Sequence, residues 1–165
     1  MNIHDDDPQG RAMKSKTLKS LINIYPPYWG TGIRLSHIAD DYREATVTMK
    51  LRFYNRNYVN THFGGSLYAM VDPFYMLMLM HILGRDYVVW DQAATIEFVS
   101  PARGMVSAHF VINDRIVEDI EKNTAAGEKY LPRFEIDIID EQGTVVARAT
   151  KTLYIRRKNR NNTAG

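Results

Sequence analysis

The sequence predicts an α+β protein in which one antiparallel sheet of about six strands wraps around a central apolar helix. Two observations predict this fold. Stretches that alternate apolar and polar residues recur in pairs, with short turns between them. Between the first pair and the next, residues 65–83 are apolar around almost the whole helical circumference, so a helix there must be covered by protein on nearly every side.

The length of the chain, 165 residues, is that of a single domain. We expect residues 1–12 to form a disordered lead, residues 13–156 the domain, and residues 157–165 a basic flexible tail. The chain has no cysteine, which excludes a disulfide framework, a thiolate nucleophile and a cysteine-ligated metal. A net charge of +2 is too small to indicate a nucleic-acid or membrane partner. No secretory signal opens the sequence, so we expect a cytoplasmic location.

The first structured segment is a predicted amphipathic helix at residues 14–25, which Pro26 and Pro27 are expected to end. A hairpin follows, with strands at residues 33–39 and 44–53. The second strand alternates almost perfectly, and the residues predicted to face the core are Ala45, Val47, Met49, Leu51 and Phe53.

Two further hairpins complete the predicted sheet. Residues 94–98 and 106–112 alternate on either side of a turn, and residues 134–138 and 144–155 do the same. Residues 114–124 place apolar side chains on one helical face, which predicts a helix on the surface.

The central helix contains one acidic residue, Asp72, and Pro73 follows it directly. Proline removes a helical hydrogen bond and disfavours helical geometry at the residue before it, so a kink or a break is predicted. Two compatible roles are open for Asp72. It caps the helical segment that restarts at Pro73, or it acts as a general base or nucleophile toward an acyl group beside an apolar cavity.

Two adjacent glycines, Gly64 and Gly65, stand where the central helix begins. They either make only a tight turn into the helix, or they let a backbone N–H at the positive end of the helix dipole meet a developing oxyanion.

These residues resemble a known family. The two glycines, the seven-residue step from Gly65 to Asp72 and the later run at residues 96–104 are similar to the hot-dog fold thioesterases of the phenylacetic-acid-pathway type. Residues 63–74 resemble more closely the uncharacterised branch called domain of unknown function 4442. The resemblance covers residues 15–156 and implies an antiparallel sheet wrapped around a helix. It also implies a homodimer or homotetramer whose sheets join edge to edge, with acyl-CoA pockets at the subunit interface.

The same resemblance implies three catalytic residues. Gly65 would donate its backbone N–H to the thioester carbonyl, Asp72 would attack that carbonyl or activate water, and Asn60 would help to position the water. Substrate binding is implied for four residues beside them, namely Phe63, Gly64, Ser66 and His62. The sequence departs from the usual His-Gly-Gly motif, because Phe63 stands directly before the glycines and His62 lies one place further away.

The predicted function is therefore hydrolysis of acyl-CoA or a related acyl thioester, with coenzyme A as part of the substrate and no other cofactor. The alternative is a non-catalytic protein that binds acyl-CoA or a fatty-acyl ligand. A hot-dog dehydratase ranks lower, because the proline expected after His62-Phe63 is missing. A metal site ranks lower still, because the five histidines show no ligand spacing. Nucleic-acid binding rests only on the cations at residues 156–160, which are typical of a solvated surface.

Overall fold

The computed structural model describes residues 13–158 of the chain. The predicted lead and residues 159–165 of the predicted tail lie outside the described residues. The elements, in chain order, are α1 (Ser15–Ile24), α2 (Pro26–Thr31), β1 (Ile33–Ile38), β2 (Glu44–Lys50), α3 (Gly64–Ala69), α4 (Phe74–Leu83), β3 (Tyr87–Phe98), β4 (Met105–Val111), α5 (Asp114–Thr124), β5 (Lys129–Tyr130), β6 (Arg133–Asp140) and β7 (Val145–Arg157).

All the strands of the described chain form one antiparallel sheet in the order β1-β2-β4-β6-β7-β3, with the short β5 paired to β7. This confirms the α+β fold class and the hairpins β1–β2 and β6–β7. The predicted hairpin between residues 94–98 and 106–112 is wrong. β3 pairs with β7 along its whole length, whereas β4 lies between β2 and β6.

The strand β3 is much longer than the sequence predicts, because it begins at Tyr87 rather than at Ala94. It lies at one edge of the sheet, and within the described chain its only partner is β7. A β-bulge between Asp91 and Ala93 places one extra residue, Gln92, in the strand. The edge position and the bulge both matter for the site described below.

The central apolar segment forms two helices, α3 and α4, with the break at Asp72 and Pro73 that the sequence predicts. Residues Gly64–Leu83 are together long and apolar enough to span a bilayer, but half of that segment is buried inside the protein. Phe74, Met78 and Leu79 of α4 are almost completely covered by the sheet and its neighbours. The segment is therefore the core helix around which the sheet curls.

The helix α1 ends at Ile24, just before Pro26, as the sequence predicts. Pro26 then begins a second helix, because proline is well tolerated at the first position of a helix, where its missing N–H has no helical acceptor. The helix α5 matches its prediction, and the Asn113 side chain caps it by accepting the Ile116 N–H at 3.0 Å. Phe53 differs from its prediction. β2 ends at Lys50, and the Phe53 ring is exposed rather than part of the core.

Candidate functional site

The carboxylate of Asp72 lies at the break between α3 and α4. Pro73 occupies the N-cap position of α4, and no side chain caps that helix. The Asp72 carboxylate therefore does not act as the cap that the sequence allows. Its side chain is 46% exposed, so it lies between the buried core and the solvent.

One oxygen of Asp72 is held by two neighbours. The Tyr68 hydroxyl, one helical turn earlier, donates a hydrogen bond to Asp72 Oδ1 at 2.7 Å, and Lys151 Nζ donates to the same oxygen at 2.6 Å. Within the described chain, Asp72 Oδ2 has no hydrogen-bond partner. The carboxylate is thus fixed in direction through Oδ1, and Oδ2 is left for a ligand or for water.

Lys151 is the cation of the site, and its side chain is 0% exposed. It lies on the inward face of β7, in the row of buried residues Ala147, Ala149, Leu153 and Ile155. Its ammonium is also 5.3 Å from the centroid of the Tyr68 ring, within the range of a cation–π contact. Burial opposes its charge, but the hydrogen bond to Asp72 and the nearby Asp91 carboxylate outweigh burial and raise the pKa of Lys151.

A second carboxylate, Asp91, shares the same ammonium. Asp91 Oδ1 lies 3.1 Å from Lys151 Nζ, an ion pair without hydrogen-bond alignment. The side chain is 21% exposed. It lies at the β-bulge of β3, and a bulge re-aims the side chains of the strand that contains it. Burial raises the pKa of Asp91, and the Lys151 charge offsets only part of that shift.

The two glycines lie at the first turn of α3, where two aromatic rings pack directly against them. A Cβ atom added at Gly65 would lie 2.5 Å from Cε1 of Phe63, and one added at Gly64 would lie 2.8 Å from Cζ of Phe98. Both rings are more than half exposed. The glycines therefore permit a close approach of the rings to the start of the helix, and the Gly65 N–H lies in the turn whose donors lack helical acceptors.

Among the described residues, none of the other predicted site residues forms a side-chain hydrogen bond with Asp72. Asn60 is exposed at a left-handed position with φ of 61°. Ser66 is buried in α3. His62 is buried too, and burial lowers the pKa of His62. The hydrogen bond that its Nε2 donates to the Gly104 carbonyl at 3.1 Å opposes this shift. The substrate-binding roles of His62 and Ser66 stay predictions.

The family model described as domain of unknown function (DUF4442) matches residues 14–155 of the sequence. The chain belongs to this family. A search of curated proteins finds no match to it.

Solved structures similar to this DUF4442 protein have the hot-dog fold. A protein of unknown function from Pseudomonas aeruginosa, described as a probable thioesterase, matches with a TM-score of 0.78 at 16% identity, over 90% of this chain and 99% of that one. A thioesterase from Haemophilus influenzae matches with a TM-score of 0.66 at 17% identity, over 93% and 97% of the two chains. A mutant of the phenylacetic acid degradation protein PaaI from Thermus thermophilus matches with a TM-score of 0.56 at 21% identity, over 78% and 97%. At these identities the similarity shows the fold alone, and it confirms the predicted one.

Sequence reasoning missed three residues of the DUF4442 protein's site, namely Tyr68, Asp91 and Lys151. The signal for Lys151 is its place in the alternation of β7, where all the remaining inward-facing residues are apolar. A lysine at such a position needs a buried counter-charge, because a buried cation is costly unless it is paired. Tyr68 lies four residues before Asp72, on the same helical face. The signal for Asp91 is much weaker, because the bulge interrupts its pattern.

Proposed function

We propose that this DUF4442 protein hydrolyses an acyl thioester and that Asp72 is its catalytic carboxylate. The observation that carries the proposal is the state of the two carboxylate oxygens. Oδ1 is held by Tyr68 and Lys151, whereas Oδ2 has no partner in the described chain and belongs to a half-exposed side chain. A carboxylate that is held on one side and open on the other is suited to act on a bound acyl group.

The proposed reaction uses two groups at opposite ends of α3. The Gly65 N–H donates to the thioester carbonyl oxygen and stabilises the negative charge that develops on it. Asp72 Oδ2 takes a proton from water while the water oxygen bonds to the carbonyl carbon. The carbon–sulfur bond then breaks, and the leaving thiolate takes up the proton. Direct attack by Oδ2 would give an acyl anhydride that water hydrolyses, with the same net products.

The proposed substrate is an acyl-CoA or a related acyl thioester, with coenzyme A entering only as part of the substrate and without a metal or redox cofactor. Two features support an acyl substrate. The exposed rings of Phe63 and Phe98 make the surface around the glycines apolar. The helix α4 carries three methionines, whose flexible side chains adapt to apolar chains of different shape.

One observation favours the alternative, a protein that binds acyl ligands without turnover. Asn60, the residue implied to position the attacking water, is exposed and forms no hydrogen bond with Asp72 within the described chain. A site without a second group to position water would still bind the acyl ligand but would hydrolyse it slowly. Turnover and binding must therefore be measured on the same samples.

Release of free thiol from a panel of acyl-CoA thioesters tests the proposed function, and Gly65→Val tests the oxyanion donor. The variant is expected to lower turnover by at least about a hundredfold, because the added methyl groups crowd the N–H. Its fold should survive, since the three atoms nearest to the added Cβ all belong to the exposed Phe63 ring, which can rotate away. Ala125→Val is a control, because it adds the same two methyl groups at an exposed residue at the end of α5. Full activity of Gly65→Val would place the oxyanion donor elsewhere.

We also propose that the protein is a homodimer or homotetramer. The strand β3 presents twelve residues at the sheet edge with one side unpaired in the described chain, and such an edge readily pairs with another copy. Light scattering at micromolar concentration is expected to give two or four times the chain mass of 19.0 kDa. A single species at the chain mass would contradict this prediction.

A further inference from the structure

A groove of about 410 Å³ lies on the outer face of β1, β2 and β4. Along β2, Val47 and Met49 are buried against the core, whereas Thr48 and Lys50 point to the other side of the sheet and line the groove. The groove therefore lies across the sheet from the core helix that carries Asp72, and the proposed chemistry at Asp72 and Gly65 does not involve its side chains.

The charge of the groove is positive. Arg34, Lys50 and Arg52 line it, and no acidic residue does. Arg34 is paired in register with Thr48, so Arg34 and Lys50 are diagonal neighbours on the same face of the sheet. None of these three cations forms a salt bridge within residues 13–158. Neighbouring cations without a counter-charge repel each other, and an anion bound between them would remove that repulsion.

Two aromatic side chains form the walls of the groove. The Trp29 side chain at the end of α2 is 70% exposed, and Tyr54 on the facing loop is 51% exposed. The Phe53 and Tyr54 rings pack in a T-shaped pair at a centroid distance of 5.2 Å. An exposed aromatic ring beside unpaired cations is the combination that binds a planar base together with its phosphate.

Buried contacts fix the two walls relative to each other. The Asn55 side chain is almost fully buried, and its Nδ2 donates to the Thr31 carbonyl at 2.8 Å and to the Lys50 carbonyl at 3.0 Å. Its Oδ1 accepts the Arg52 N–H at 2.7 Å. Gly32 has a φ of 75°, and a Cβ there would lie 3.2 Å from the Tyr54 hydroxyl. The groove is therefore formed before any ligand arrives, as small-molecule sites usually are.

We propose that this groove binds a nucleotide, with the phosphate on Arg34, Lys50 and Arg52 and the base against Trp29. Its volume is in the range of about 300–1,000 Å³ that is typical of small-molecule sites, which suits one nucleotide. The same chemistry occurs in a free mononucleotide and in the nucleotide end of coenzyme A. The two sources are separated by the experiment and not by the geometry.

Isothermal titration of the full chain at low salt tests the proposal with AMP, adenosine, inorganic phosphate and coenzyme A as probes. AMP is expected to bind at least about tenfold more tightly than adenosine or phosphate alone. The double variant Arg34→Gln/Lys50→Gln should weaken AMP binding by at least about tenfold, and Trp29→Ala should weaken it independently. The control Arg115→Gln/Lys122→Gln removes the same charges from the exposed surface of α5 and should leave AMP binding unchanged.

The outcomes separate the two sources and the failure of the proposal. Coenzyme A binding tenfold tighter than AMP, with Arg34→Gln/Lys50→Gln raising KM for acyl-CoA at constant kcat, identifies the nucleotide of coenzyme A. Similar affinities for AMP and coenzyme A, with an unchanged KM for acyl-CoA in Arg34→Gln/Lys50→Gln, identify a free nucleotide. The proposal is overturned if neither AMP nor coenzyme A binds with a Kd below about 10 mM, or if adenosine binds as tightly as AMP. It is also overturned if the groove variant and the α5 control variant weaken AMP binding equally. The titrations with AMP, adenosine and coenzyme A need no turnover, so a lack of thioesterase activity would not affect them. In that case the affinity of Arg34→Gln/Lys50→Gln for coenzyme A replaces KM in separating the two sources.

Discussion

Replacing Asp72 with asparagine is expected to lower thioester hydrolysis by at least about a hundredfold, the lower end of what a positioned acid or base contributes. The amide keeps the size of the carboxylate and an oxygen that can accept from Tyr68 and Lys151. It cannot take a proton from water at neutral pH, and it is a poor nucleophile. Free-thiol release with the best acyl-CoA of the panel measures the rate, and thermal unfolding checks the fold.

The matched control for Asp72→Asn is Asp137→Asn. Asp137 is also paired with a cation of β7, Arg148, with oxygen–nitrogen distances of 2.6 and 2.9 Å, but it lies on the outer face of the sheet. Its replacement should leave turnover unchanged. An Asp72→Asn variant that keeps the wild-type rate would remove Asp72 from the mechanism. Wild-type protein that binds acyl-CoA but releases no thiol from any chain length would establish the binding protein instead.

Lys151→Met is expected to lower the free energy of unfolding by about 2 kcal/mol, less than for a fully buried ion pair because Asp72 is half-exposed. Methionine replaces the apolar stem of the lysine but leaves Asp72 and Asp91 without their shared cation. Turnover is expected to fall as well, since Oδ1 of Asp72 would keep only the Tyr68 hydrogen bond. Denaturant unfolding measures the first effect, and thiol release measures the second.

Two further measurements show whether the effect of Lys151→Met comes from charge. Arg148→Met removes an exposed cation from the same strand and should lower the free energy of unfolding much less than Lys151→Met does. The double variant Lys151→Met/Asp91→Asn should recover part of the stability that Lys151→Met loses, because it removes one of the two unpaired carboxylates. No recovery would show that Lys151 stabilises the protein only through the packing of its stem.

The pH dependence of unfolding follows from the direction of two pKa shifts. The pKa of Lys151 is raised in the folded protein, so its contribution to stability is complete below its ordinary pKa of 10.5 and is lost as the pH rises through the folded value. Lys151→Met should lack this alkaline loss. The pKa of Asp91 is raised as well, so this residue takes up a proton in the folded state more readily than in the unfolded state. The loss in free energy of unfolding that Lys151→Met causes should therefore become smaller as the pH falls. An equal loss at every pH would contradict the role of charge.

The parts of the fold that sequence analysis predicts are those encoded locally. Proline at position 73 predicts the break between α3 and α4, because its effect on the backbone needs no distant partner. The hairpins β1–β2 and β6–β7 are predictable too, because the alternation of β2 and β7 and the short turn before β7 are local features. Strand pairing over longer distances is not local. The turn after β3 has the composition of a hairpin turn, yet β3 pairs with β7, whose paired residues run from Phe98 with Ala147 to Tyr87 with Arg157.

The site is only half predictable for related reasons. Asp72 is visible as the one carboxylate in an apolar helix, but its partner Lys151 is 79 residues away and only the folded sheet brings them together. Asp91 is hidden by the bulge, because Gln92 shifts the phase of the alternation and the recognisable pattern begins only at Ala94. That shift explains both the late predicted start of β3 and the missing second carboxylate.

The shared ammonium of Lys151 acts as a non-covalent cross-link between the helix break and the outermost strand of the sheet. Asp72 lies at the helix break and Asp91 lies on β3. A displacement of β3 would therefore move the Lys151 ammonium, which also orients Asp72 Oδ1. A strand from another copy laid along β3 would stiffen the backbone on either side of the bulge. The orientation of the carboxylate would then depend on protein concentration, and dilution alone would loosen it without any change in the core.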